Sequence, residues 1–229
     1  MRSMKSALAC VLLGLSASAM AGGSFDFYLL ATQWLPGWCR VGTGKSGAEL
    51  AAGACRSQQS PLLFHGLWPE NLDGSYPQDC ERVGALDPVK LAFANPYAGW
   101  LANAGTFIDH EWSKHGTCSS YHRPGSETAD PYGYYRGVNR YFSDALGVFG
   151  TLAAPTLPAV ADSAAVRQAF ALRNAAWPER SILLTCAPDA GGRQVLTGFW
   201  LCADKALGAR TCPAPLQRYG CIEGEVLTR

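Results

Sequence analysis

The chain has 229 residues, with 19 basic and 18 acidic side chains and a formal net charge of +1. At 48% hydrophobic and 11% aromatic it is too apolar to be a disordered chain. So even a balance of charge excludes a protein held on nucleic acid by a broad basic face; a polyanion would have to be handled locally.

Residues 1–21 read as a secretory signal. Met1, Arg2 and Lys5 form a charged start, Ala7 to Leu15 an apolar run too short to span a membrane, and Ala19-Met20-Ala21 a small-x-small cleavage site. The expected working chain is therefore residues 22–229, a single soluble domain that is secreted or periplasmic. Losing Arg2 and Lys5 leaves it 17 basic against 18 acidic residues. That length is enough to bury roughly 70% of its unfolded surface.

Phe25-Asp26-Phe27-Tyr28-Leu29-Leu30 is aromatic and branched, and predicts a strand. Pro61 to Trp68 holds a second short apolar run, Leu62-Leu63-Phe64, expected to end at Gly66 and Pro69. Asp130-Pro131 is a cap followed by a first-turn proline. After it Tyr134, Val138, Tyr141, Phe142 and Leu146 recur at helical spacing. The stretch from Leu152 to Val160, with Pro155 and Pro158, predicts a loop. Asp162-Ser163 opens another helix carrying Val166, Phe170 and Leu172. Ser181 to Cys186 and Gln194 to Cys202 read as paired strands around the turn Asp189-Ala190-Gly191-Gly192. Strands and helices mix without regular alternation, which favours an α+β domain, a central mainly antiparallel sheet packed by helices.

Nine cysteines are present, and Cys10 leaves with the signal. An even remainder behind a signal peptide reads as four disulfides formed in an oxidising space. Zinc is the alternative, but it wants cysteines about two to four residues apart, and here Cys212 and Cys221, the nearest pair, are nine apart. Counting alone does not give the pairing.

All four histidines lie between positions 65 and 122. His65 sits in Phe64-His65-Gly66-Leu67-Trp68-Pro69. His110 and His115 sit in His110-Glu111-Trp112-Ser113-Lys114-His115-Gly116-Thr117-Cys118. On a helix Glu111 and His115 share a face, as do His110 and Lys114. His110 and His115 are five apart, about 140° round the axis, so they do not match the zinc-protease pattern of two histidines four apart. Without a metal, two imidazoles can act as base and acid near neutral pH, and a lysine can meet negative charge building on a phosphoryl group. An RNA 2′-hydroxyl attacking its own phosphodiester is one reaction among several that this set would suit.

These two segments resemble the active-site segments of the ribonuclease T2 family. The start, from Phe25 through Gln33-Trp34 to Cys39, is similar to that family's first strand, and the tail around Thr185-Cys186 and the last three cysteines is similar too. The resemblance implies an endoribonuclease that cleaves single-stranded RNA, with low base specificity and without a cofactor or metal. The product is a 2′,3′-cyclic phosphate, later opened to a 3′-phosphate. It implies that His115 is the general base and His65 the general acid. Glu111 and Lys114 would stabilise the phosphorane, and His110 would hold the phosphate. Trp68, Glu70 and Tyr76 correspond to residues that hold the base 5′ to the cut, an aromatic face stacking it and a carboxylate accepting an exocyclic amine. The alternative for Trp68 is a core residue and for Tyr76 a loop aromatic. Phe107 is a candidate contact for the second base, whereas His122 matches no family position and is expected on the surface. The implied disulfides are Cys39–Cys55, Cys80–Cys118, Cys186–Cys221 and Cys202–Cys212. Single-stranded RNA is the expected partner of a monomer that leaves DNA uncut and binds no membrane. A non-catalytic RNA-binding module and a secreted metal-binding protein are the rival classes; the intact His65, Glu111, Lys114 and His115 disfavour the first, and the cysteine and histidine spacing the second.

Overall fold

The computed structural model describes residues 24–41, 55, 60–98, 101 and 103–229; residues 1–21, expected to be a signal, lie outside them. Six strands form one sheet: β1 (Phe27–Trp34), β2 (Leu62–Glu70), β3 (Val160–Asp162), β4 (Ile182–Pro188), β5 (Gln194–Ala203) and β6 (Glu225–Leu227). β1 lies between β2 and β5, β4 flanks β5 on its other side, and β6 continues beside β5 to reach β3. All pairings are antiparallel except the single step Val195–Leu227 between β5 and β6. The helices are α1 (Leu35–Val41), α2 (Ala104–Lys114), α3 (Pro131–Phe149) and α4 (Ser163–Arg173), with a single turn at Ser126–Ala129. The domain is α+β, as its sequence implied.

Alternation along the strands divides the core in two. Tyr28, Leu30 and Trp34 of β1, with Phe199 and Leu201 of β5, face the helices and join Trp112, Val138, Tyr141, Phe142, Val166 and Phe170 in the larger cluster. Phe27, Leu29, Leu183 and Cys202 face the other way and are covered by Leu216, with Trp68 and Trp200 packed at the margin of this smaller cluster. The Asp130 cap holds: its carboxylate accepts from the Gly133 N–H at 3.0 Å. Leu172 departs from expectation. It is 78% exposed, because two residues beyond Phe170 a side chain lies about 200° round the helix.

β2 differs most from its prediction. It runs through Gly66 and Pro69 to Glu70. Proline is tolerated because β2 is an edge strand, where one side of the backbone needs no ladder partner. Its register against β1 slips between Ala31–Gly66 and Thr32–Phe64, leaving His65 as the extra residue of a bulge. The outward carbonyls that such an edge leaves unpaired are met by phenols: Tyr97 donates to the His65 carbonyl at 2.6 Å and Tyr141 to that of Leu67. The four disulfides are Cys39–Cys55, Cys80–Cys118, Cys186–Cys221 and Cys202–Cys212, the pairs the resemblance implied.

Candidate active site

The bulge in β2 and the end of α2 face one another. α2 stops at Lys114, and His115 is its C-cap residue, its N–H still bonded to the Glu111 carbonyl at 3.1 Å. Gly116 follows because any Cβ there would stand 2.2 Å from the Trp112 ring. This close packing turns the chain into the short helix Gly116–Cys118, which the bridge to Cys80 anchors.

Glu111 lies at the centre of the site and is fully buried. Its Oε2 accepts from Trp68 Nε1 at 2.9 Å, and its Oε1 stands 3.5 Å from His65 Nε2, an electrostatic contact longer than a good hydrogen bond. Burial alone would raise its carboxyl. The contact with His65, the charges of His65 and His115 and the Trp68 N–H outweigh burial and hold it below the ordinary value. Gln33 fixes the other side of His65, its amide nitrogen lying 2.7 Å from Nδ1. Turned about, the same amide presents its oxygen, so Gln33 holds the ring whether or not Nδ1 carries a proton.

His115 is in a different setting. It is buried, its Nδ1 has no partner in the protein, and its ring stacks on Trp68 with centroids 5.0 Å apart. Burial pushes its pKa down from 6.5 to about 4; Glu111 pulls the other way, while the charges of Lys114, His110 and His65 reinforce the drop. The imidazole is therefore neutral across the physiological range.

A cavity of about 260 Å³ is lined by His65, His110, Glu111, Lys114 and His115 together with Trp68, Glu70 and Tyr76. Eight of the nine residues singled out in the sequence thus meet in one hollow. The ninth, Phe107, stands behind it, edge-on to His65 at 5.4 Å and 5.9 Å from His110. Trp68 is half-buried, neither wholly core nor free. Glu70 is 5% exposed with Oε2 unpartnered, and burial pushes its pKa up to about 8, with Arg218 opposing. It is thus a neutral carboxyl at neutral pH, able to donate as well as accept.

Sequence reasoning missed three contributors. Trp200 and Tyr219 line the same hollow, and Gln33 holds the His65 ring from its other side. Gln33 lies in the family-like first strand, which was the one available signal; Trp200 and Tyr219 carry none. His122 corrects another expectation. It is 2% exposed, with Nε2 2.5 Å from Glu81 Oε2 and its ring edge-on to Trp112. Among the described residues no three His, Cys, Asp or Glu side chains converge as a metal site requires, and no helix is long and apolar enough to cross a membrane.

An α+β domain with two histidines about a buried carboxylate, opening on an aromatic hollow, defines a narrow class, and comparison with known proteins identifies it. The ribonuclease T2 family model matches residues 25–212, and the chain belongs to that family. Ribonuclease DdI of Dictyostelium discoideum is 37% identical over 101 residues, 42% of this chain and 41% of that protein. A ribonuclease of Aeromonas hydrophila is 38% identical over 97 residues, 42% of this chain and 39% of that protein. These matches span less than half the length of either relative. Among solved structures, RNase NT in complex with 5′-AMP superposes with a TM-score of 0.64 at 24% identity, covering 89% of this chain and 98% of that one. Human RNase T2 superposes at 0.60 with 20% identity, covering 89% and 97%. At such identity the two structures show the shared fold.

Proposed function

We propose that the chain is an endoribonuclease that cleaves single-stranded RNA by transphosphorylation. The observation that carries this reading is the unequal setting of the two imidazoles: His115 neutral and unpartnered at Nδ1, His65 paired with Glu111. His115 takes the proton of the 2′-hydroxyl as O2′ attacks phosphorus. His65 gives a proton to the departing 5′ oxygen, and a 2′,3′-cyclic phosphate forms. Reversing the roles with water in place of the leaving strand opens it to a 3′-phosphate. No metal or cofactor enters this scheme.

Lys114 supplies positive charge to the phosphorane, and His110, in the same lining, holds the phosphate. For Glu111 its contacts support a positioning role in place of the phosphorane stabilisation that the resemblance implies. An ionised carboxylate repels a dianionic phosphorane, so Glu111 acts by orienting His65 and Trp68, which it contacts directly. Trp68, Tyr76, Trp200 and Tyr219 offer ring faces to the base 5′ to the cut, worth about 1–3 kcal/mol per stacked base and tolerant of sequence. The neutral Glu70 carboxyl meets the base edge as donor or acceptor, which supports low base specificity. Phe107, packed edge-on against His65, is the candidate contact for the base on the other side of the cut. The four disulfides support residence outside the cytoplasm, secreted or periplasmic.

Incubation of the purified protein with single-stranded RNA in excess chelator tests the reading. Cyclic phosphate ends appearing on RNA, but neither on DNA nor on RNA methylated at every 2′ oxygen, support it. RNA bound but intact would indicate a binding module instead, and activity lost to the chelator a metal-dependent one.

A further inference from the structure

Two hollows meet along the outer side of α3, away from the catalytic cavity, with which they share no residue. Tyr132, Arg136 and Arg140 recur there every four residues, so all three stand in one row and all are exposed. The smaller hollow, about 340 Å³, is lined by Arg123, Ser126, Arg136, Arg140 and Lys205 among others. The larger, about 610 Å³, shares both α3 arginines and adds Lys90, Tyr132 and Tyr135. Together the two linings carry five cations and one carboxylate, Asp130, in a chain whose formal net charge is +1. Asp130 is engaged by the Gly133 N–H, and Asp144, one turn beyond Arg140, by Tyr121. Among the described residues Arg123, Arg136, Arg140 and Lys205 have no carboxylate within ion-pair distance.

A second, independent observation comes from Ser126. It is 5% exposed, and its Oγ is buried without a hydrogen-bond partner. A buried hydroxyl is ordinarily bonded; here it borders a hollow ringed by cations, where an anionic oxygen would complete it. The adjoining hollow offers the ring of Tyr132, 81% exposed, and that of Tyr135. A cationic hollow beside an aromatic one matches the alternation of phosphate and base along a single strand, rather than the sheet of headgroups a membrane presents.

We propose that this face is a second RNA-binding site, outside the catalytic cavity. One phosphodiester sits among Arg123, Arg136, Arg140 and Lys205 and accepts from the Ser126 hydroxyl, while a neighbouring base stacks on Tyr132 or Tyr135. This rests on the endoribonuclease reading only for its substrate. Strands long enough to reach both sites bind more tightly than dinucleotides, which occupy the catalytic cavity alone.

The test uses the full chain and an Arg136→Ala, Arg140→Ala double variant. Binding of a 20-nucleotide RNA methylated at every 2′ oxygen is followed by fluorescence anisotropy across a salt series, and cleavage is followed on an unmodified 20-mer and on a dinucleotide. Loss of two of the four cations around that phosphate should flatten the log–log salt slope of binding by up to about 0.7 and weaken binding roughly tenfold at low salt. The value of kcat/KM on the 20-mer should fall with it, while dinucleotide cleavage is unchanged. Unaltered binding and 20-mer cleavage would overturn the proposal, as would an equal loss on both substrates. Binding to phosphatidylglycerol vesicles that the double variant loses, with RNA binding intact, would reassign the face to membranes and overturn it too. An Arg123→Ala, Lys205→Ala variant, altered in other elements, repeats the measurement if α3 does not tolerate the first. A wild-type protein that binds the methylated 20-mer in this way but cuts nothing would sink the endoribonuclease reading and leave the site standing.

Discussion

Gly66→Ala tests whether Glu111 must sit where it does. A Cβ at Gly66 would stand 2.1 Å from Glu111 Oε2 and 2.6 Å from Trp68 Nε1, the two atoms now joined by a 2.9 Å hydrogen bond. Both partners cannot keep their places, and Glu111, with no exposure, has no solvent to move into. A hydrogen bond to a charged group contributes about 1.5–3 kcal/mol. At about 1.36 kcal/mol per tenfold in rate, losing it lowers kcat/KM roughly 10- to 150-fold. The same loss lowers the thermal midpoint by about 3–12 °C for a domain of this size. Gly147→Ala is the control: on an exposed position of α3 with nothing within 4 Å, it should stabilise by about 0.5–1 kcal/mol and leave activity alone. Steady-state cleavage of a dinucleotide and thermal unfolding read both variants. Wild-type kcat/KM in Gly66→Ala would refute the positioning role of Glu111.

Three further outcomes follow from the same contacts. With His115 neutral above about pH 4 and the acid needing its proton, kcat/KM should trace a bell whose acidic limb lies near pH 4; a rate still rising at pH 9 would contradict two-imidazole catalysis. Glu70, raised from 4.5 to about 8, stays protonated in the fold while the unfolded chain ionises, so wild-type stability should fall relative to Glu70→Gln as pH rises through that window, by on the order of 5 kcal/mol in all. Denaturant melts of the two proteins that stay parallel between pH 4.5 and 8 would show that the carboxyl is not so held. Replacing Cys80 and Cys118 by serine should cost about 2–5 kcal/mol of stability and lower turnover beyond the other bridges, because Asp79 N–H and the Cys118 turn together hold the chain around His115; turnover equal to that of a Cys202, Cys212 variant would deny the coupling.

The proposed catalytic constellation was legible because its members lie in two short segments that resemble those of a known family. What the sequence could not express is long-range. His122 is buried beside Glu81, 41 residues away, and the Trp112 ring. Trp200 and Tyr219 join the hollow through the pairing of β5 with β1 and the turn that follows Cys212, neither of which leaves a local trace. β2 was cut short for a related reason: Pro69 breaks a central strand but is allowed at an edge, and the edge is a property of the whole sheet. The bulge that gives His65 its aim likewise exists only in the register against β1. Helix α3 and the β4–β5 hairpin, set by a cap, a period and a Gly-Gly turn, were readable locally and formed as expected.

The division of labour between the histidines is tested most directly by His65→Ala and His115→Ala on two substrates, a dinucleotide and a nucleoside 3′-aryl phosphate. On the dinucleotide each variant should lose about 10²–10⁴ in turnover, since each lacks one proton-transfer partner. The aryl group leaves without a proton, so His65→Ala should recover most of its activity on it and His115→Ala should not. Recovery of His115→Ala instead would reverse the two roles, and recovery of neither would contradict proton transfer by these imidazoles.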